Sequence, residues 1–206
     1  MDGNDGRLSR GATRRALLLD AGVRVVARDG AGNLTHRATA AEAGVSLASA
    51  TYHFPSIHTL RRSTFDHAGS LVGLAFRTQV LAGGTAADDV GAILADYATT
   101  LVVERREATV AVFEMITAAA HDRELQPVVE LLHGRLAALL EPYVGSKRQA
   151  LWAAAAVQGL ILTALATDRD RHTDLRAAVL DLITRFRAQP HPVEADASDH
   201  AALSSR

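Results

Sequence analysis

Apolar residues recur at three- and four-residue spacing along nearly the whole chain, and no stretch shows the strict alternation of a strand. Leu17, Ala21, Val25 and Val26 mark the first stripe, predicting a helix over residues 10–28 that the breakers Asp29-Gly30-Ala31-Gly32-Asn33 end. Two short helices follow over 35–42 and 46–53, separated by Ala43-Gly44-Val45. Pro55-Ser56 opens a long helix over 56–81, apolar at Leu60, Leu71, Leu74 and Phe76, and Gly83-Gly84 is the clearest hinge. Five further helices are expected over 88–105, 107–121, 124–143, 147–167 and 173–187, with Pro127 tolerable in a first turn. The expected fold class is all-α, with about nine helices. Residues 1–9 read as a polar, disordered arm, and from Gln189 onward Pro, Asp, Ser and His predict a loose tail.

Residues 151–166, LWAAAAVQGLILTALA, require a choice. A membrane span needs about 20 apolar residues; this run is shorter, Ala-rich and interrupted by Gln158 and Thr163. It is expected to be a helix buried on nearly every side, and burial that complete in so small a domain calls for a second copy of the chain over its outer face.

The tract between Leu34 and Leu60 carries the most specific local chemistry. Thr35 and Ser46 stand where hydroxyls cap the two short helices. Gly44 stands where a helix ends in a left-handed residue. Ala40 is small enough for two helices to cross closely, and Val45 fills the wedge between them. This is a helix-turn-helix, and a second helix of that length fits the DNA major groove.

Together with Tyr52-His53-Phe54 and the capped helix at Ser56, the tract resembles the tetracycline-repressor (TetR) family of bacterial regulators. In that family the tract runs Thr, three residues, an aliphatic, Ala, two residues, Ala-Gly-Val-Ser, then a short helix closing on an aromatic or His and Phe. Thr35, Ala40, Ala43, Gly44, Val45, Ser46, Tyr52, His53, Phe54, Ser56 and Leu60 fall in register, and the resemblance is specific over residues 10–62. Thr39 replaces the usual Ile or Val, Ala50 and Thr51 replace a large aliphatic and a Tyr, and Ile57 replaces a Lys. The resemblance assigns phosphate contacts to that Tyr and that Lys; Tyr52 and Arg61 or Arg62 are the candidate replacements. Expected DNA contacts are Thr35, Ser46, Tyr52 and His53 on the phosphates, Leu47, Ala48 and Ser49 on the base edges with His36 or Arg37 contributing to preference, and Thr51 within the same DNA-binding set. The short side chains of Leu47, Ala48 and Ser49 cannot make bidentate base contacts, so methyl contacts and DNA shape carry the expected preference.

Charge supports a partition. Residues 1–62 sum to +4 and the remainder to −5, a basic head on an acidic body. Arg outnumbers Lys twenty-one to one, as a GC-rich genome would produce. The chain has no Cys, which excludes disulfides, thiolate metal sites and a cysteine nucleophile. Residues 1–11 do not resemble a signal peptide, so the expected location is cytoplasmic. Nine His are scattered without metal-ligand spacing, and no nucleophile elbow, phosphate loop or dinucleotide fingerprint occurs. Neither a metal, a cofactor nor an enzymatic activity is expected.

The resemblance implies the organisation of the whole. Residues 10–55 form a DNA-binding domain and 56–188 an effector-binding and dimerisation domain. Polar Tyr97, Glu114, Thr117, Gln158 and Thr163 interrupt apolar faces in the second domain. The expected ligand-binding set is Phe76, Tyr97, Phe113, Glu114, Met115, Thr117, Leu136 and Trp152, with Ala111 and Ala118 beside it. The expected function is a homodimeric repressor, bound to a double-stranded DNA operator and released by a small-molecule effector, with no membrane partner. The alternatives are a DNA-binding protein without effector control, constitutive or nucleoid-associated, and an all-α small-molecule-binding protein or enzyme.

Overall fold

The computed structural model describes residues 5–83, 90–167 and 172–188. Among them are nine α-helices and one short 3-10 turn, and no strand. The helices are α1 Asp5–Asp29, α2 His36–Glu42, α3 Leu47–His53, α4 Ile57–Gly83, α5 Val90–Val103, α6 Arg106–Ala119, α7 Gln126–Val144, α8 Lys147–Thr167 and α9 His172–Ala188, with the 3-10 turn at Ala31–Asn33. The first helix starts at Asp5, inside the segment expected to be an arm, so that expectation gives way to a longer helix. Residues 1–4, Gly84 of the expected hinge, and the tail from Gln189 lie outside the described residues.

Local chemistry sets the boundaries of the head. Thr35 Oγ1 accepts from Ala38 N at 3.1 Å, and Ser46 Oγ accepts from Ser49 N at 3.2 Å, so each short helix starts on its own hydroxyl cap. Gly44 has φ +66°, a conformation that a side chain opposes, although a Cβ there would meet no neighbour. Ser56 Oγ likewise accepts from Thr59 N and starts α4.

Two apolar clusters organise the molecule. The first joins α1, α2, α3 and the first half of α4 around Leu18, Val25, Val26, Leu34, Phe54, Leu60 and Phe65, and burying each such side chain contributes about 1.5–3 kcal/mol. The same cluster takes in Ala108, Ala111, Met115 and Ala119 of α6, so α6 belongs to the packing of the head as well as of the body. The second cluster joins α5, α7, α8 and α9 with the end of α4, through residues such as Leu94, Leu101, Leu140, Val157, Ile161, Val179 and Ile183.

The helix over residues 147–167 departs from the expectation of burial all round. Within one chain it buries only Gln149, Ala150, Ala153, Ala154, Val157, Ile161 and Leu165. Trp152, Ala155, Gly159, Leu162, Thr163 and Ala166 form a stripe left exposed on the opposite side. It is the one helix among the described residues that is long and apolar enough to cross a membrane.

Candidate functional site

Two sites stand at opposite ends of α4. The first is the outer face of α3. Leu47 is 45% exposed and Tyr52 82% exposed, and with Ala48 and Thr51, both exposed, they form one continuous strip. Thr51 Oγ1 donates back to the Leu47 and Ala48 carbonyls at 3.2 and 3.1 Å, so it offers lone pairs outward rather than its proton. The cap hydroxyls of Thr35 and Ser46 accept from their own helices, which leaves each O–H free to donate to an anion beyond the helix N-terminus. Arg37 is exposed in the first turn of α2. His53 is half-buried, and its ring stands edge-on to Tyr52 at 5.2 Å. Ser49 is half-buried in α3.

His36 departs from its expected place near the bases. Its Nε2–H donates to the Phe54 carbonyl at 2.7 Å, and the ring is half-buried. That carbonyl lies past the end of α3, where no helical N–H can reach it, so the ring fastens α2 to the end of α3. Several arginines of the head are also engaged. Arg24 Nε meets Glu42 at 2.7 Å and Arg28 NH1 meets it at 2.8 Å. Arg15 stacks over Phe54 and donates to Ser63. Of the two candidate replacements on α4, Arg62 is exposed, whereas Arg61 carries a buried Nε with no partner.

The second site is a cavity of about 690 Å³ enclosed by α4, α5, α6, α7 and α8. Phe76, Tyr97, Phe113 and Leu136 come together around it, with Val112, Ile116 and Ile161 completing the apolar wall. Phe76 and Tyr97 pack edge to face at 5.1 Å. Burial pushes the Tyr97 phenol well above its ordinary pKa, so its hydroxyl stays a donor. Gly69 lets α4 and α7 approach: a Cβ there would lie 2.9 Å from the Leu132 side chain.

Four residues expected at this site are elsewhere. Met115 is fully buried in the head's cluster, because it lies on the opposite face of α6 from Phe113 and Ile116. Glu114 reaches the 3-10 turn, where Oε2 accepts from Ala31 N at 3.1 Å. Thr117 is exposed and its hydroxyl donates to the Phe113 carbonyl one turn back. Trp152 lies on the outer stripe of α8, 56% exposed, with the Arg148 guanidinium 5.5 Å from its ring centre. Ala111 and Ala118 also face the head cluster. Conversely, Arg77, Arg135 and Gly73 line the cavity without having been expected there. Arg77 follows Phe76 and comes one turn after Gly73, a pattern whose meaning depends on where α7 passes. Among the described residues no group of three or more His, Asp or Glu could hold a metal ion.

Comparison with known proteins places this geometry in context. Residues 85–185 match the model of the tetracyclin repressor-like C-terminal domain. A member of the TetR family from Streptomyces coelicolor A3 is 29% identical with a TM-score of 0.69, over 82% of this chain and 97% of that one. The multidrug binding protein EbrR complexed with malachite green is 28% identical with a TM-score of 0.65, over 82% of this chain and 97% of that one. The complex of EbrR with imidazole gives 26% identity and a TM-score of 0.66, over 87% and 97% of the two chains. No curated protein matches the chain.

Proposed function

We propose that the chain, whose residues 85–185 match the tetracyclin repressor-like C-terminal domain and whose fold is that of TetR-family regulators, is a homodimeric repressor of that family that leaves its operator when a small molecule fills the cavity. The exposed strip of α3, held between two hydroxyl-capped helix starts and a left-handed Gly44, carries this reading. Residues of this strip would face the major groove, while Thr35, Ser46 and Tyr52 would set the register on phosphates. Such a regulator works in the cytoplasm, and the outer stripe of α8 would meet a second copy rather than a bilayer.

The cavity favours control by an effector over constitutive binding. α4 contributes Leu60 and Phe65 to the head and Val72 and Phe76 to the cavity region. α6 contributes Met115 to the head and Phe113 to the cavity, and Glu114 anchors the turn before α2. A ligand that shifts either helix would therefore alter the spacing of two recognition helices, which must sit about 34–36 Å apart, or a multiple, to enter successive grooves. By linkage, DNA would weaken the ligand by the same factor.

The test is fluorescence anisotropy with DNA flanking the protein's own gene, titrated across salt. If a dimer neutralises about eight phosphates, log K falls against log salt with a slope near −7. Tyr52→Ala weakens all sequences alike, whereas Leu47→Ala changes the preference among them. A flat salt response, or no complex with any fragment, overturns the reading.

A further inference from the structure

Among the described residues, the polar side chains around the cavity other than Thr109 present donors to it. Arg77 of α4 and Arg135 of α7 stand among exposed lining residues at its mouth, and neither guanidinium meets a carboxylate among the described residues. His133 Nδ1 lies 3.1 Å from Gln158 Oε1, which engages the Gln158 oxygen and leaves its NH2 for the cavity. The Thr109 hydroxyl donates to the Leu101 and Arg105 carbonyls, both at 2.9 Å, and contributes no donor to the cavity. Tyr97 keeps its phenolic proton. Among the described residues no Asp or Glu lines the space, and the remaining wall is apolar.

A cavity of this composition favours a ligand with acceptors at one end and hydrocarbon at the other. Guanidinium groups bind carboxylates with charge-assisted hydrogen bonds, and a partly apolar wall strengthens them by excluding water. A cationic ligand would bring its charge toward two guanidiniums with no carboxylate to offset them.

We propose that the effector is an anionic amphiphile, an alkyl or aryl carboxylate whose headgroup is held by Arg77 and Arg135 while its apolar body packs on Phe76, Phe113 and Leu136. This deepens the effector reading above and rests on it for the word effector; the binding chemistry rests on the cavity alone.

Calorimetric titration of the intact protein with decanoate, 1-decanol and decyltrimethylammonium, below their micelle concentrations, compares three headgroups on one chain. Decanoate is expected to bind at least about tenfold more tightly than decanol, and the cation most weakly. Arg77→Gln and Arg135→Gln each remove most of that preference while leaving decanol within about twofold of its parent affinity. At Gly73 the nearest atom to an added Cβ is Arg77 NH1 at 4.0 Å, so Gly73→Leu fills the mouth without a backbone clash and blocks decanoate and decanol together. Equal binding of the three probes, no binding by decanoate, stronger binding of the cation, or an anion preference that survives both Arg changes overturns the proposal. Because the readout is binding, a protein that prefers decanoate yet ignores DNA supports this chemistry and removes only the regulatory reading.

Discussion

Thr39 is fully buried in α2, and its hydroxyl oxygen has no hydrogen-bond partner. It stands where an aliphatic side chain would fill the same volume, so the hydroxyl adds a desolvation cost without a bond in return. Thr39→Val is expected to stabilise the protein by about 1–2 kcal/mol, read as a Tm several degrees higher in a thermal melt. An unchanged or lowered Tm shows that the hydroxyl is satisfied in solution. Thr64 poses a related case where α1 crosses α4: a Cβ on Gly22 would lie 2.7 Å from Thr64 Oγ1. His36 makes the opposite point, since a residue that reads as a base contact instead holds a carbonyl at 2.7 Å. Residue type and periodicity place a side chain on a face; they do not say which polar atom it will find there.

Between elements, α1 and α2 are joined by a charged clamp in which Arg24 and Arg28 both bond Glu42. These bonds, from Arg24 first and Arg28 second, hold the Glu42 carboxyl below its ordinary pKa of 4.5. Arg28 is raised in turn, chiefly by Asp29 and then by Glu42. A carboxylate with a depressed native pKa stabilises the fold above its unfolded pKa, and that contribution disappears as pH falls through the native value. Denaturation curves are therefore expected to show stability falling below about pH 4.5 in the parent, and falling less in Glu42→Gln. Parallel pH profiles for the two proteins would remove the clamp from the account. The same clamp explains why the basic charge of the head exceeds what it presents to phosphate: Arg24 and Arg28 serve α2 instead.

At the scale of the molecule, the outer stripe of α8 is the largest consequence left by the fold. Trp152 and Leu162 are 56% and 47% exposed, with Ala155, Gly159 and Ala166 on the same side. Small residues between two large apolar ones let a second helix approach closely. Leu162→Arg places a charge in that seam and is expected to give monomers by light scattering, with a helical circular dichroism spectrum unchanged. Ala155→Arg should behave alike. A parent that is itself monomeric, or a Leu162→Arg protein of unaltered size, overturns the seam. Leu160 is a poorer probe than its apolar character suggests, because it packs on its own chain's core.

Helix number and order, the turn at Gly44 and the caps at Thr35 and Ser46 follow from the sequence by itself. Each is set by interactions within a few residues: a period of 3.6, a backbone angle, a hydroxyl and the N–H three positions on. Half of the expected cavity residues, Phe76, Tyr97, Phe113 and Leu136, meet as their apolar faces suggest. The tertiary structure alone decided that Met115 and Glu114 turn toward the head, because α6 is apolar on two sides and only its packing on α1 and α4 separates them. It alone moved Trp152 to the outside, since an Ala-rich helix carries too weak a stripe to mark which side faces its own core. And it alone brought Arg77 and Arg135, fifty-eight positions apart, to one mouth: charged residues on separate helices carry no sequence signal of meeting until the helices between them have packed.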